Sequence, residues 1–232
     1  PKPVIEKAET RLDYSQKGNL VEVTGDNFSV VVDNGAVTNF KVDNKDVIES
    51  PIAPNYFRAL TDNDIDFLNF VPPLAKLHPY YVWKRATKTL KAVKTVVEPC
   101  NNGIKVKSAL KVFGMKSAYV SYTIYDSGKI SVYHSATPSS DLLRMGFTFD
   151  ISKDKNIINW YGRGPAPSYC DRKTGYKIGK YSMTVDKFEY SYMRPQESSS
   201  RSDVRYFTVT DKKGTGVKVT AYYNKPMLFS AL

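Results

Sequence analysis

Phe28-Ser29-Val30-Val31-Val32-Asp33-Asn34-Gly35, then the run from Val37 to Val42 and the turn Asp43-Asn44-Lys45, decide the fold class. Asn-Gly between two apolar runs is the strongest short-range signal of a β-hairpin, because the favoured two-residue turn needs positive φ at both central positions. The same punctuation recurs along the chain. Asn102-Gly103 and Asp126-Ser127-Gly128 separate runs that read as strands: Tyr81 to about Val97, Ile104–Phe113, Ala118–Tyr125, Lys129–His134 and Leu142–Ile151. Two last strands, Val204–Thr210 and Val217–Tyr223, flank the loop Asp211-Lys212-Lys213-Gly214-Thr215-Gly216. Strands spaced roughly 8 to 12 residues apart by turn signals predict an all-β antiparallel sandwich. A helical pattern is confined to a short stretch near Asp66–Leu77.

Composition agrees. The chain has 232 residues, enough to bury a substantial core without disulfides or a structural metal. Its 17 Tyr and 11 Phe suit half-buried pleated surfaces. The formal net charge is +11, but of the 34 basic residues 9 are Arg and 25 are Lys. Nucleic-acid readers depend on Arg for bidentate contacts, whereas lysines alternating with apolar residues, as in Ile104-Lys105-Val106-Lys107, mark the wet face of a strand. No nucleic-acid partner is predicted. No apolar run is long enough to span a bilayer, so the chain reads as soluble; no signal peptide is present, which in an excised piece says nothing of the parent's address, and the compartment, cytoplasmic or periplasmic, stays open. Residues 1–19 read as an entry linker and 20–232 as the β domain; the opening Pro1-Lys2-Pro3 reads as the start of an excised piece. Cys100 and Cys170 have no metal-ligand spacing and are either a disulfide or two buried thiols.

Two regions break the strand pattern. Residues 51–80 hold Pro51, Pro54, Pro72, Pro73 and Pro79 with an acidic cluster and read as a long structured loop. Residues 157–202 are rich in Gly, Pro, Tyr and Arg and read as a second irregular region. A retaining glycosidase needs two carboxyl groups across the scissile bond, and the sequence offers no such pair; no catalytic residue and no metal site are assigned. Asp62 and Asp64, two apart in Thr61-Asp62-Asn63-Asp64, either bind a cation or sugar hydroxyls or bond backbone amides and shape the loop. Glu197, Arg201, Asp203 and Arg205 suit an ion-pair network as well as a ligand site. His134 alternates with Val132 on a strand and reads as structural, and His78 lies in the Pro-rich loop. Gly162-Arg163-Gly164-Pro165 is no anion loop, because Pro165 follows and no helix does.

At these two regions the chain resembles family 2 β-galactosidases. Pro54-Asn55-Tyr56-Phe57-Arg58-Ala59-Leu60-Thr61-Asp62-Asn63-Asp64 is similar to their PNFWRAPTDND stretch. Trp160-Tyr161-Gly162-Arg163-Gly164-Pro165, with Ser168-Tyr169 and Asp171-Arg172, resembles WYGRGPxENYxDR. Tyr192 to Glu197, then Arg201-Ser202-Asp203-Val204-Arg205, resembles YxxPQExGxRxDVR. The likeness runs from about Gly25 to Leu232 and corresponds to the C-terminal β domain of these enzymes, a large antiparallel supersandwich similar to galactose mutarotase, here C-terminally truncated. It implies a parent that hydrolyses terminal β-galactosides with retention, its catalytic glutamates lying in a TIM barrel that is not in this chain. The partners implied are a β-galactoside or related carbohydrate and that barrel. The fragment implies no cofactor; the parent is compatible with a divalent cation. Asp62, Asn63, Asp64 and Asp66 are the residues implied to shape or gate substrate entry. Asp66 stands where the family commonly has Gly, Ala166-Pro167-Ser168 replaces an acidic-Asn pair, and Ser198-Ser199-Ser200 lacks the usual Gly.

The rival reading is a freestanding carbohydrate-binding or aldose-epimerase-like sandwich; a purely structural module is a third. Two placements are expected of the folded chain. Trp160 and Phe149 belong in the core, with a partner for the indole N–H. The segments 54–66, 160–172 and 192–205 converge, with Arg58, Arg163, Arg172, Glu197, Arg201 and Asp203 as a supporting network in which Arg163 or Arg201 reaches a carboxylate of another segment.

Overall fold

The computed structural model describes residues 11–61, 64, 79–193, 197–222 and 225–232. They fall into two compact units, one within Pro1–Ala59 and Phe67–Ile151, the other within Leu60–Asp66 and Ser152–Leu232. The architecture is all-β and antiparallel. Among the described residues the one α-helix is short, and no helix is long and apolar enough to cross a membrane.

In the first unit β1 (Asp13–Lys17), β2 (Leu20–Thr24), β3 (Phe28–Asp33), β4 (Ala36–Val42) and β5 (Lys45–Asp46) form a five-stranded meander. The segment read as an entry linker therefore contributes an edge strand, β1, paired from Asp13 opposite Thr24 to Lys17 opposite Leu20. The Asn34-Gly35 turn forms as its chemistry demands: Asp33 pairs with Ala36, and φ is 49° at Asn34 and 79° at Gly35. Asp43 and Asn44, at 50° and 61°, close the next hairpin the same way. β6 (Ala53–Asn55) leaves this sheet to pair with β11.

A helix follows, where a strand from Tyr81 was expected. α1 spans Pro79–Lys88. Its aromatic and β-branched residues favour a strand locally, but Trp83 and Ala86, three apart, are both fully buried, and such spacing is satisfied only by a helix. Pro79 suits the first helical position, and Arg85 and Lys88 in the last turn complement the helix dipole. The short helix expected near Asp66–Leu77 lies outside the described residues.

The second sheet runs in the order β10-β9-β8-β7, from β7 (Lys91–Cys100), β8 (Gly103–Lys111), β9 (Met115–Tyr125) and β10 (Ile130–Pro138). Ile104, Val106 and Leu110 point inward and the alternating lysines outward. The two sheets enclose one core in which Val21, Val23, Val30, Val32, Val106, Val120, Tyr122 and Ile124 have no exposure. The Tyr122 hydroxyl donates to the Gly35 carbonyl at 2.9 Å, tying the second sheet to the first hairpin. The expected strand 142–151 is reduced to β11 (Gly146–Thr148), and Phe149 packs partly buried against this core.

The second unit holds β12 (Ile157–Gly164), β13 (Lys177–Thr184), β14 (Ser200–Val204), β15 (Tyr206–Thr210), β16 (Gly216–Thr220) and β17 (Met227–Ser230). Sheet order is β13-β12-β15-β16, with β14 and β17 paired separately. Region 157–202, read as irregular, thus contains two eight-residue strands. Its core is aromatic. Trp160 is 1% exposed, meets Phe188 edge-on at 5.4 Å, and donates its indole N–H to the Arg163 carbonyl at 2.9 Å. Phe207 and Phe229 stack at 3.7 Å. Trp160 and Phe149 are therefore both interior but serve different units. Cys100 and Cys170 are free thiols, the first half-buried and the second exposed, so neither alternative from the sequence holds.

His134 on β10 is held on both ring nitrogens. Its Nδ1 lies 2.8 Å from the Tyr119 carbonyl, which can only accept, so Nδ1 carries the proton and Nε2 accepts from the Tyr56 hydroxyl at 2.8 Å. Burial holds His134 below its usual 6.5 and pushes the Tyr56 phenol up. The unfolded chain accepts a proton near 6.5 that the folded imidazole refuses, so below that pH the unfolded state binds more protons and stability falls. Urea midpoints of the wild type should decline between about pH 7.5 and pH 5.5, and His134→Gln should decline less over the same interval.

Candidate functional site

The acidic loop begins in the first unit. Asn55 Oδ1 accepts the Phe57 amide at 2.9 Å and the Thr87 hydroxyl at 3.2 Å, and Thr87 receives the Tyr56 amide at 3.2 Å. The start of the PNYFRALTDND motif is thereby fastened to α1, and Tyr56, fully buried beside Trp83, carries it into the core. Arg58 Nη1 donates to the Ala59 carbonyl at 3.0 Å. Asp64 Oδ2 accepts both the amide and the hydroxyl of Thr61, at 2.7 and 2.8 Å. That is the loop-shaping use of an Asx side chain, one of the two readings open from the sequence. Asp62, Asn63 and Asp66 lie outside the described residues.

The second and third motifs meet in the second unit, on β12 and β14. Arg163 Nε donates to Asp203 Oδ2 at 2.5 Å, and its Nη1 donates to the carbonyls of Lys173 and Tyr176 at 2.8 and 2.7 Å. Asp203 reaches this position because β14 is irregular: its register against β17 shifts between Arg201 and Val204, and Asp203 takes a φ of 53°. Aspartate tolerates that left-handed conformation, and a bulge re-aims a side chain in this way. The hydrogen bond from Arg163 holds the Asp203 carboxyl below its ordinary value. Gly162 makes the approach of the strands sterically feasible, since a Cβ there would lie 2.8 Å from Val204 Cα. Arg205 donates to the Asp203 carbonyl at 2.5 Å and lies over the Tyr161 ring.

Arg201 is held differently from Arg163. It is 1% exposed and donates to the carbonyls of Pro165 (2.9 Å), Ser200 (3.2 Å) and Phe188 (3.0 Å) and to the Met183 sulfur (3.6 Å), with no carboxylate partner among the described residues. The guanidinium faces the Phe188 ring at 3.9 Å and the Trp160 ring at 5.4 Å. Burial pushes it down to about 10, so it stays charged at neutral pH. A delocalised, weakly hydrated cation between aromatic faces tolerates this site; a lysine ammonium would not. Arg172 Nη2 donates to the Glu197 carbonyl at 2.7 Å and stacks on Tyr192 at 4.3 Å. Glu197 thus enters this contact through its backbone. The sequence reading missed the buried hydroxyl set around these cations, in which Ser168 and Ser202 hydroxyls lie 2.8 Å apart and Ser200 donates to the Ser168 carbonyl. Nothing in Ser198-Ser199-Ser200-Arg201-Ser202 distinguishes buried serines from solvated ones. Among the described residues no group of His, Cys, Asp or Glu side chains could hold a metal ion.

The second and third motifs thus form one braced region of the second unit. The profile of the family described as "Beta galactosidase small chain" matches residues 24–231. The chain belongs to this family. It is 30% identical over 221 residues to a β-galactosidase of Priestia megaterium, covering 92% of this chain and 21% of the relative. A β-galactosidase of Streptococcus thermophilus is 29% identical over 99% of this chain and 23% of its own length. One from Lactobacillus delbrueckii subsp. bulgaricus is 29% identical over 93% of this chain and 21% of its own. The chain spans about a fifth of the length of the curated relatives it matches.

Two outcomes follow from this small-chain geometry. Arg201→Lys, which keeps charge but cannot reach the same acceptors, should lower stability by about 2–4 kcal/mol in urea unfolding. For the Arg163–Asp203 pair, a double-mutant cycle with Arg163→Ala and Asp203→Asn should give a coupling of about 1–3 kcal/mol at neutral pH. A depressed carboxyl stabilises above its unfolded pKa, so this coupling should persist at neutral pH and vanish as pH falls below 3.8 and through the lowered folded value.

Proposed function

We propose that this chain is an accessory β domain of a β-galactosidase, in which terminal β-galactosides are hydrolysed with retention by glutamates of a barrel elsewhere in the parent enzyme. The observation that carries the reading is the family match over residues 24–231, combined with relatives four to five times longer that are themselves β-galactosidases. In this role the acidic loop Asp62-Asn63-Asp64 with Asp66 shapes or gates entry to the substrate site. The Arg163–Asp203 pair and the carbonyl-capping arginines keep the second and third motifs rigid. Rigid support of this kind suits a surface that must hold a neighbouring domain's substrate pocket in register.

The epimerase alternative asks for a histidine with a ring nitrogen available for proton transfer. His134 has both nitrogens engaged, by the Tyr119 carbonyl and the Tyr56 hydroxyl. That disfavours the alternative for this residue, and His78 lies outside the described residues.

The test uses three proteins: the chain alone, the polypeptide encoded by the full reading frame, and the full polypeptide carrying Asp64→Ala. The expected outcome is no hydrolysis of an aryl β-galactoside by the chain alone and turnover by the full polypeptide. Asp64→Ala should lower kcat/KM by about tenfold, because loop order contributes to substrate positioning. Turnover by the chain alone that disappears on mutating Asp62 or Glu197 would overturn the accessory role.

A further inference from the structure

The outward face of the β7–β10 sheet carries a feature that the galactosidase reading does not use. Strand pairing sets it out in rows. Tyr133 lies opposite Ser121, which lies opposite Lys107; Ser135 lies opposite Tyr119, which is followed by Ala109 and Lys94. Tyr119 and Tyr133 are thus diagonal neighbours on adjacent strands. Their ring centroids are 5.9 Å apart at 32°. They are 47% and 53% exposed. A pair of large rings in mutual contact, yet facing water, is a preorganised platform, since tyrosine has few rotatable bonds to immobilise.

The neighbouring half of the same face is basic. Lys94, Lys105 and Lys107 project from β7 and β8, about 5–10 Å from the tyrosine strands at the usual strand spacing. Glu98 is the acidic residue that pairs across these strands, and it is taken by Lys107 at 2.6 Å. Lys94 and Lys105 have no carboxylate partner among the described residues. No arginine lies on any of the four strands.

We propose that this face binds an anionic polysaccharide, a uronate-bearing chain whose sugar rings stack on Tyr119 and Tyr133 while its carboxylates meet the lysines. The commitment follows from charge and shape together. The surplus of lysine asks for an anionic occupant. The exposed aromatic pair, with Ser135 opposite Tyr119, offers apolar faces for the faces of a pyranose and hydroxyls for its hydroxyl groups. A nucleic acid would ask for the bidentate arginine forks that this face lacks. The inference does not rest on the galactosidase reading.

The experiment titrates the full chain with fluorescently labelled alginate oligosaccharide, a labelled neutral gluco-oligosaccharide and oligothymidylate. Alginate is expected to bind best, with affinity falling as salt rises. Tyr119→Ala/Tyr133→Ala should weaken it about tenfold with unchanged thermal unfolding, as removal of an exposed stacking platform predicts. Lys94→Gln/Lys105→Gln should flatten the salt dependence while leaving neutral-sugar binding unchanged. Equal affinity in the tyrosine variant, equal binding of the neutral sugar, or tighter binding of oligothymidylate would each overturn the proposal. Loss of alginate binding when the polypeptide of the full reading frame replaces the chain would do so as well, because the face would then be covered by protein.

Discussion

Loop carbonyls taken out of water need donors, and in the second unit arginine side chains supply them. Arg163, Arg172, Arg201 and Arg205 donate to the carbonyls of Lys173, Tyr176, Glu197, Pro165, Ser200, Phe188 and Asp203. A buried carbonyl without a donor costs about 1–3 kcal/mol, so guanidinium groups that satisfy the buried carbonyls of Ser200 and Phe188 and five part-buried ones outweigh what any surface ion pair contributes. Among the described residues, Arg163 to Asp203 is the one contact of these arginines that meets a carboxylate. The guanidinium suits the task because its donors diverge in a plane and its faces stack on Trp160, Phe188, Tyr161 and Tyr192.

The first unit meets the same requirement with neutral groups. Tyr122 donates to Gly35 and Ile52 carbonyls, Trp83 to Asp141, and the Tyr56–His134–Tyr119 chain ends on a carbonyl. Neutral donors carry a smaller desolvation penalty, which is why they can sit at the centre of an aliphatic core. The two units therefore respond differently to pH. The first is sensitive near neutrality through the His134 imidazole, and the second responds in acid through Asp203.

The motif Trp160-Tyr161-Gly162-Arg163-Gly164-Pro165 is a packing device before it is a functional one. Trp160 fills the core, Gly162 admits the β14 backbone, Arg163 reaches back to Asp203, and a Cβ at Gly164 would meet Trp160 and Tyr181 at 2.9 and 2.8 Å. In the proposed accessory role, rigidity of this region serves positioning, which degrades with small displacements.

The sequence by itself determined the sandwich class and the first hairpins, because turn chemistry and period-two alternation are local: Asn34-Gly35 adopts its φ values whatever packs above it. It also marked the motifs that carry family membership. It did not reveal α1, whose aromatic residues prefer strands and become helical because Trp83 and Ala86 must face one core. Nor did it reveal β12 and β13 within a Gly- and Arg-rich region, where the glycines serve close strand packing rather than turns. The pairing of Arg163 with Asp203, and the carbonyl partners that Arg201 takes instead of a carboxylate among the described residues, were decided only by tertiary structure. Residues forty apart meet because a bulge in β14 turns one side chain toward β12, and no local propensity encodes which carbonyls that fold will bury beside a given arginine.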